Sequence, residues 1–154
     1  MDKYKIQQIT YLEMKEIFDS FSEQEKNFYN PDSSMNEESF WKRNSSNNAI
    51  GIKFNNHVIA FLEIDFRIEQ NINGKFHKAL TFGLGVHHDF RQKGIGTKLL
   101  KFLDFLAKKT NCKSIFVHTN QNNNPMINML KKNNYKLNLD GKSRENFYFR
   151  KEII

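Results

Sequence analysis

Residues 84–97, LGVHHDFRQKGIGT, decide the fold of this chain. The residues before them alternate as in a strand, and apolar residues recur after them at helical spacing, so a tight loop joins a strand to a helix. Glycines let a ligand approach the backbone closely, and a helix start offers unpaired N–H donors and the positive end of its dipole. Arg91 and Lys93 add positive charge. The segment therefore predicts a binding site for an anion such as a diphosphate.

Two familiar phosphate-binding patterns do not fit this loop. A P-loop requires glycine, four residues, then Gly-Lys and Ser or Thr, and that spacing is absent. A dinucleotide-binding fingerprint requires a third glycine near Leu99 and an acidic residue about 20 residues further on, where residues 111–116 contain none. A third class of anion site is therefore needed.

The pattern Arg-x-x-Gly-x-Gly at residues 91–96, directly after a strand that ends near Val86, resembles the GCN5-related N-acetyltransferase (GNAT) superfamily. Two downstream segments extend the resemblance: 123–126 (NNPM) and 132–135 (KNNY) stand where the family has Asn-x-x-small and Lys-x-Gly-Phe. Asn134 in place of glycine tolerates the same left-handed backbone, and Tyr135 packs as phenylalanine would.

The resemblance implies an α/β fold with a mixed, mostly antiparallel sheet that is flanked by helices and splayed between strands 4 and 5, where the pantetheine arm of acetyl-CoA would enter. It also implies a sheet bulge at Gly85 and a cofactor-contacting asparagine at Asn123. The cofactor-binding residues that we expect are Leu84, Val86, Arg91, Gln92, Lys93, Gly94, Ile95, Gly96, Thr97 and Asn123.

The implied reaction is direct attack of a primary amine on the thioester, with the Val86 N–H stabilising the oxyanion. A general base is expected on the central strands, and Glu63, Asp65 and His87 are the candidates. Glu63 shares a strand face with Asp65, so a solvated surface charge is the alternative for it.

Leu130 replaces the tyrosine that protonates the departing thiolate in many family members. Tyr148 is a candidate substitute, with a packing aromatic as its alternative. The loss keeps a non-catalytic acyl-CoA-binding or regulatory module open as the second function.

The rest of the chain predicts one N-acetyltransferase domain over residues 1–154, since this length suits a single core. Segments 49–54 and 58–69 predict a hairpin around the turn 55–56, and 22–34 and 35–43 predict a loop and a short helix. Asn124 is expected to cap the helix that begins at Pro125, and residues 140–141 are expected to form the last turn.

Composition limits the partners and the compartment. Lys and Arg outnumber Asp and Glu by 24 to 17, but the charge is dispersed, so we do not expect nucleic-acid binding. The single cysteine, Cys112, excludes an internal disulfide and is expected to be buried. The N-terminus lacks the apolar stretch of a signal peptide, so we expect a cytoplasmic protein without membrane contact. We expect the acceptor to be a small-molecule or protein/peptide amine, and the resemblance also implies a homodimer, since dimers are common in the family.

Overall fold

The computed structural model describes residues 3–29, 49–138 and 146–154. Within these ranges the helices are α1 (Tyr11–Asp19), α2 (Glu23–Tyr29), α3 (Ile95–Lys109) and α4 (Asn124–Lys132), with a 3-10 turn at His88–Phe90. The strands are β1 (Lys5–Gln8), β2 (Ala49–Phe54), β3 (His57–Gln70), β4 (Phe76–Val86), β5 (Ser114–Asn120), β6 (Lys136–Asn138) and β7 (Asn146–Glu152).

The strands form one seven-stranded sheet in the order β1-β2-β3-β4-β5-β7-β6. The pairing of β4 with β5 is parallel, whereas β1 with β2, β2 with β3, β5 with β7 and β6 with β7 are antiparallel. The parallel register joins residues 79–81 to 114–116, and both strands continue past it, to Val86 and to Asn120. The mixed, mostly antiparallel sheet predicted from the sequence is confirmed.

The hairpin of β2 and β3 is also confirmed, and its turn has a simple physical basis. Asn55 and Asn56 have φ of 49° and 65°, the two positive values that a tight two-residue hairpin turn requires and that asparagine tolerates. The register shifts between Ile52 and Lys53, which places a β-bulge close to this turn.

Contacts divide the chain into two compact units, and the first contains residues 1–64 and 83–96. Its core is a cluster of buried apolar side chains from α1, β2, β3 and the residues next to α1, including Met14, Phe21 and Phe61. Gly85 is required here because a Cβ on it would lie 2.3 Å from the Phe61 ring. This close packing explains the glycine, and the bulge implied by the family stays a prediction.

The second unit contains residues 65–82 and 97–154. Its fully buried side chains include six large apolar ones from β4, the apolar face of α3, β5 and β7: Leu80, Leu99, Leu100, Leu103, Ile115 and Phe149. Cys112 is 2% exposed, so the buried thiol predicted from the sequence is confirmed.

One of the secondary-structure predictions is wrong, and one predicted helix cap is displaced by one residue. Residues 23–29 form α2 and not a loop, because Ser22 and Glu25 exchange two hydrogen bonds of 3.0 and 3.2 Å that cap a helix start. The cap of α4 is Asn123 rather than Asn124, since its side chain accepts from the Met126 N–H. The predicted helix 35–43 and turn 140–141 lie outside the described residues.

Candidate functional site

The loop between β4 and α3 has the backbone that a phosphate cradle needs. Gln92 and Gly94 have φ of 59° and 77°, which turn the chain sharply before α3 begins at Ile95. Apart from its chain neighbours, no atom of the described residues lies within 4 Å of where a Cβ on Gly94 would be, so this side of the glycine faces open space. The glycine therefore serves the positive φ and leaves room for a ligand, and does not relieve crowding inside the protein.

The electrostatics of the loop also favour an anion. The first turn of α3 contains no acidic residue, and Lys108 and Lys109 lie in its last turn, so the dipole is left uncompensated at the loop and neutralised at the far end. Gln92, Lys93 and Gly94 are exposed, with the Lys93 ammonium 5.2 Å from the centre of the Phe90 ring. These residues fit a diphosphate group.

Arg91, one of the residues expected to bind the cofactor, contacts three groups of the protein. Its guanidinium forms an ion pair with Glu25 of α2, its Nε donates to the Val86 carbonyl at 3.1 Å, and it lies 5.1 Å from the centre of the Phe21 ring. The side chain is thus tied to protein groups of the first unit.

The other loop residues differ in exposure. Ile95 is 2% exposed and Gly96 is also buried, whereas Thr97 is half-buried. Ile95 therefore anchors the start of α3, and any contact of Ile95 or Gly96 with a phosphate would be through main-chain N–H groups.

Asn123, in the second unit, uses one of its two side-chain polar atoms to cap α4. Its Oδ1 accepts the capping bond from the Met126 N–H at 3.4 Å, and its carbonyl accepts from the Ile127 N–H at 3.0 Å. Because capping uses Oδ1, the Nδ2 group is the part of this side chain suited to donating to an acceptor on the cofactor.

Glu63 lies on β3 in the first unit and is a poorly solvated carboxylate. Its Oε1 is buried, and no donor among the described residues reaches it. Its Oε2 lies 3.7 Å from the position of a Cβ on Gly83, which is part of β4, the strand that ends at Val86. Burial raises the pKa of this carboxyl group to about 8. A carboxylate with that pKa accepts a proton far more readily than an ordinary glutamate does.

The other two candidates for the base have less suitable surroundings. Asp65 is exposed and pairs with Arg67 at 2.7 Å. His87 lines a cavity of about 390 Å³, and its Nδ1 accepts from the Asp89 N–H at 3.2 Å. A neutral imidazole has a single lone pair to accept with, so this bond occupies the atom that would act as the base.

Leu130 stands at the position where many members of the resembled family carry a tyrosine, and it packs in the interior. Leu130 is fully buried in α4. Tyr148 of β7 packs against His118, with ring centres 4.8 Å apart, and burial raises the pKa of its hydroxyl. The phenol therefore keeps its proton at neutral pH, and its use as an acid stays a prediction.

Comparison with known proteins identifies the family. The sequence pattern of the Acetyltransferase (GNAT) family matches residues 12–135, so the chain belongs to this family. The family resemblance stated from the loop is thereby confirmed, and acetyl-CoA, the cofactor expected from it, is that of the family. No helix within the described ranges is long and apolar enough to span a membrane.

Solved structures show the same fold at low sequence identity. The GNAT domain of S. lividans PAT is similar with a TM-score of 0.78 and 12% identity, covering 97% of this chain and 90% of that one. The yncA protein of Salmonella typhimurium, solved with its cofactor acetyl-CoA, has a TM-score of 0.70 and 11% identity over 99% and 95% of the chains. The PaiA N-acetyltransferase of Thermoplasma acidophilum, in complex with coenzyme A, has 0.65 and 17% over 97% and 98%.

Sequence reasoning missed the residues that surround Arg91. Ser22-x-x-Glu25 is a capping-box pattern and would have predicted α2. The pairing of Glu25 with Arg91, 66 residues along the chain, has no local signal.

Proposed function

We propose that this chain transfers the acetyl group of acetyl-CoA to a primary amine of a small molecule, protein or peptide, and that residues 1–154 act as one N-acetyltransferase domain. The observation that carries the proposal is Glu63, a carboxylate with a pKa of about 8 packed against the strand that leads into the anion-binding loop. A carboxylate with a buried oxygen that no donor among the described residues reaches lowers stability, so its presence favours a role in proton transfer. The cytoplasmic location and the homodimer stay predictions.

The loop after β4 supplies the proposed cofactor contacts. Main-chain N–H groups from Gln92 to Thr97 and the Lys93 ammonium would bind the diphosphate. Main-chain groups of Leu84 and Val86 would pair with the amides of the pantetheine arm, as an added strand pairs with a sheet edge. The Nδ2 group of Asn123 is a further proposed donor to the cofactor.

Glu63 is the proposed general base. An acceptor amine arrives as an ammonium group with a pKa near 10, and only the neutral amine is a nucleophile. A carboxyl group with a pKa of about 8 lies closer in pKa to the ammonium group than an ordinary glutamate does, so proton transfer from the ammonium group to it is less unfavourable. His87 is the weaker candidate because its lone pair is engaged.

The Val86 N–H is the proposed oxyanion donor. Its strand position is fixed by the next peptide, in which the His87 N–H donates to the Ile59 carbonyl at 2.8 Å and the Val86 carbonyl accepts from Arg91. A donor held in place before reaction costs no reorganisation. Acetyl-CoA supplies an activated thioester whose thiol has a pKa near 8.5, so water can protonate the leaving group where Leu130 cannot.

Release of free CoA thiol with a panel of amines tests the proposal. We expect amine-dependent thiol release by the parent protein and loss of about 100-fold or more in kcat/KM for Glu63→Gln, with CoA affinity unchanged. Tight CoA binding without turnover on any amine would instead support the non-catalytic module.

A further inference from the structure

One carboxylate of α2 has two separate uses in the first unit. Glu25 Oε1 accepts from the Ser22 N–H at 3.0 Å and so completes the cap of α2, while Oε2 pairs with the Arg91 guanidinium. Burial opposes the charge, yet the hydrogen bonds from Ser22 and Arg91 hold the pKa of Glu25 below its ordinary value. The carboxylate is therefore charged at neutral pH, and the helix cap and the cofactor loop share it.

Arg91 is fixed at three points. Glu25 holds one terminal nitrogen, the Val86 carbonyl accepts from Nε at 3.1 Å, and the Phe21 ring lies under the guanidinium at 5.1 Å. A guanidinium is rigid and planar, so these contacts orient it as well as neutralise it.

The same corner of the fold also holds the residues on either side of Val86. The Ser20 hydroxyl accepts from the His88 N–H at 3.3 Å. The Phe21 ring would lie 3.0 Å from a Cβ on Gly85. The end of α1 and the start of α2 thus contact residues before and after the expected oxyanion donor: Gly85, His88 and Arg91.

We propose that Glu25 is a positioning residue for acetyl transfer: it holds Arg91 as an internal strut that orients the Val86 peptide and the start of the cofactor loop. The Arg91 guanidinium then has no direct role as a phosphate ligand, and the diphosphate is bound by main-chain groups and Lys93. This inference rests on the proposed function, because it assumes that CoA binds at this loop.

The sign of a charge effect separates the strut from a phosphate ligand. If Arg91 bound phosphate directly, removing the acidic group beside it would free the guanidinium and reduce repulsion, so CoA would bind more tightly. If Arg91 is a strut, the same change releases the loop from its bound geometry, so CoA binds more weakly.

Glu25→Gln is the informative variant because glutamine also serves in a capping box, so the change removes the ion pair and keeps the cap. Glu23→Gln is the matched control. Glu23 lies on the same helix with a side chain that is 90% exposed and pairs with Lys26 at 3.5 Å, so this change removes the same charge from α2 without touching Arg91.

Calorimetric titration with CoA and steady-state kinetics with one amine would be run on the parent and both variants. We expect Glu25→Gln to weaken CoA binding and to lower kcat, each by about 10-fold, while Glu23→Gln stays within about 2-fold of the parent. Equal or tighter CoA binding by Glu25→Gln overturns the inference but leaves the proposed function standing. Failure of the parent protein to bind CoA overturns the proposed function itself.

A double-mutant cycle keeps the test decisive if Glu25→Gln is unstable. Arg91→Met removes the strut directly, so adding Glu25→Gln to it should change CoA affinity by less than about 2-fold. A full additional 10-fold loss in the double variant would mean that Glu25 acts independently of Arg91, and the inference would be wrong.

Discussion

Replacing Glu63 by glutamine should stabilise the fold at alkaline pH while it removes activity. The carboxyl group has a pKa of about 8 in the folded protein and near 4.5 in the unfolded chain. Between these values the unfolded chain releases a proton that the folded protein retains, so the free energy of unfolding falls as pH rises. Glutamine does not titrate, and the variant should escape this loss.

The magnitude follows from the two pKa values. One unit of pKa corresponds to about 1.4 kcal/mol, so the pH-dependent loss has an upper limit of about 5 kcal/mol at pH 8 and above. The carboxyl group is not fully enclosed, and solvent screening reduces this figure. We expect Glu63→Gln to exceed the parent in unfolding free energy by about 3 kcal/mol at pH 8, or about 10 °C in Tm, and by little at pH 4.5.

Thermal and urea unfolding of both proteins at pH 4.5, 6 and 8 would measure this difference. Asp65→Asn is the matched control, because Asp65 lies on the same face of β3 but is exposed and paired with Arg67. If the difference in unfolding free energy between Glu63→Gln and the parent does not increase with pH, the raised pKa of the Glu63 carboxyl group is refuted. In the kinetics, kcat/KM of the parent should rise with pH through about 8 as Glu63 loses its proton. In the variant this rise should be absent, and only the rise caused by deprotonation of the acceptor amine should remain.

Three further substitutions test the loop and its support. Gly94→Trp should lose CoA affinity by about 10-fold or more because the side chain fills the open face of the glycine; titration of an equally tight complex would show that the loop assignment is wrong. Gly85→Ala should lower the free energy of unfolding by about 2–3 kcal/mol, since its Cβ would overlap the Phe61 ring, and urea unfolding unchanged from the parent would contradict that packing. Ser22→Ala should lower the free energy of unfolding by about 1 kcal/mol because it removes the cap of α2. Hydrogen exchange in α2 that is as slow as in the parent would contradict this role of Ser22.

The features that the sequence predicted correctly are those encoded over a few neighbouring residues. Asn55 and Asn56 supply both positive φ values of one turn, and the spacing of Leu99 and Leu103 supplies the buried face of α3. The turn from β4 into α3 belongs to the same group, because its glycines and the helix start are contiguous in the sequence, while its binding of an anion stays a prediction.

The features that were missed depend on contacts between distant segments or on a pattern that was misinterpreted. The polar composition around Ser22 predicted a loop although the capping pair with Glu25 specifies a helix. The Phe61 ring leaves no room for a Cβ on Gly85, and this packing was not predicted. Neither that ring nor the partner of Arg91 lies near in the chain, so periodicity carries no trace of them.

The cofactor-binding loop could be predicted from neighbouring residues, whereas the general base could not, because its properties depend on the folded chain. A strand position places Glu63 on one face of the sheet with Asp65, and the sequence gives both the same charge and the same face. Their proton affinities diverge only in the folded chain, where Asp65 meets Arg67 in solvent and Glu63 packs beside Gly83 with one oxygen sealed from every described donor. Burial is a tertiary property, so the choice of Glu63 as the base is a prediction from the fold, whereas the choice of the cofactor-binding loop is already a prediction from the sequence.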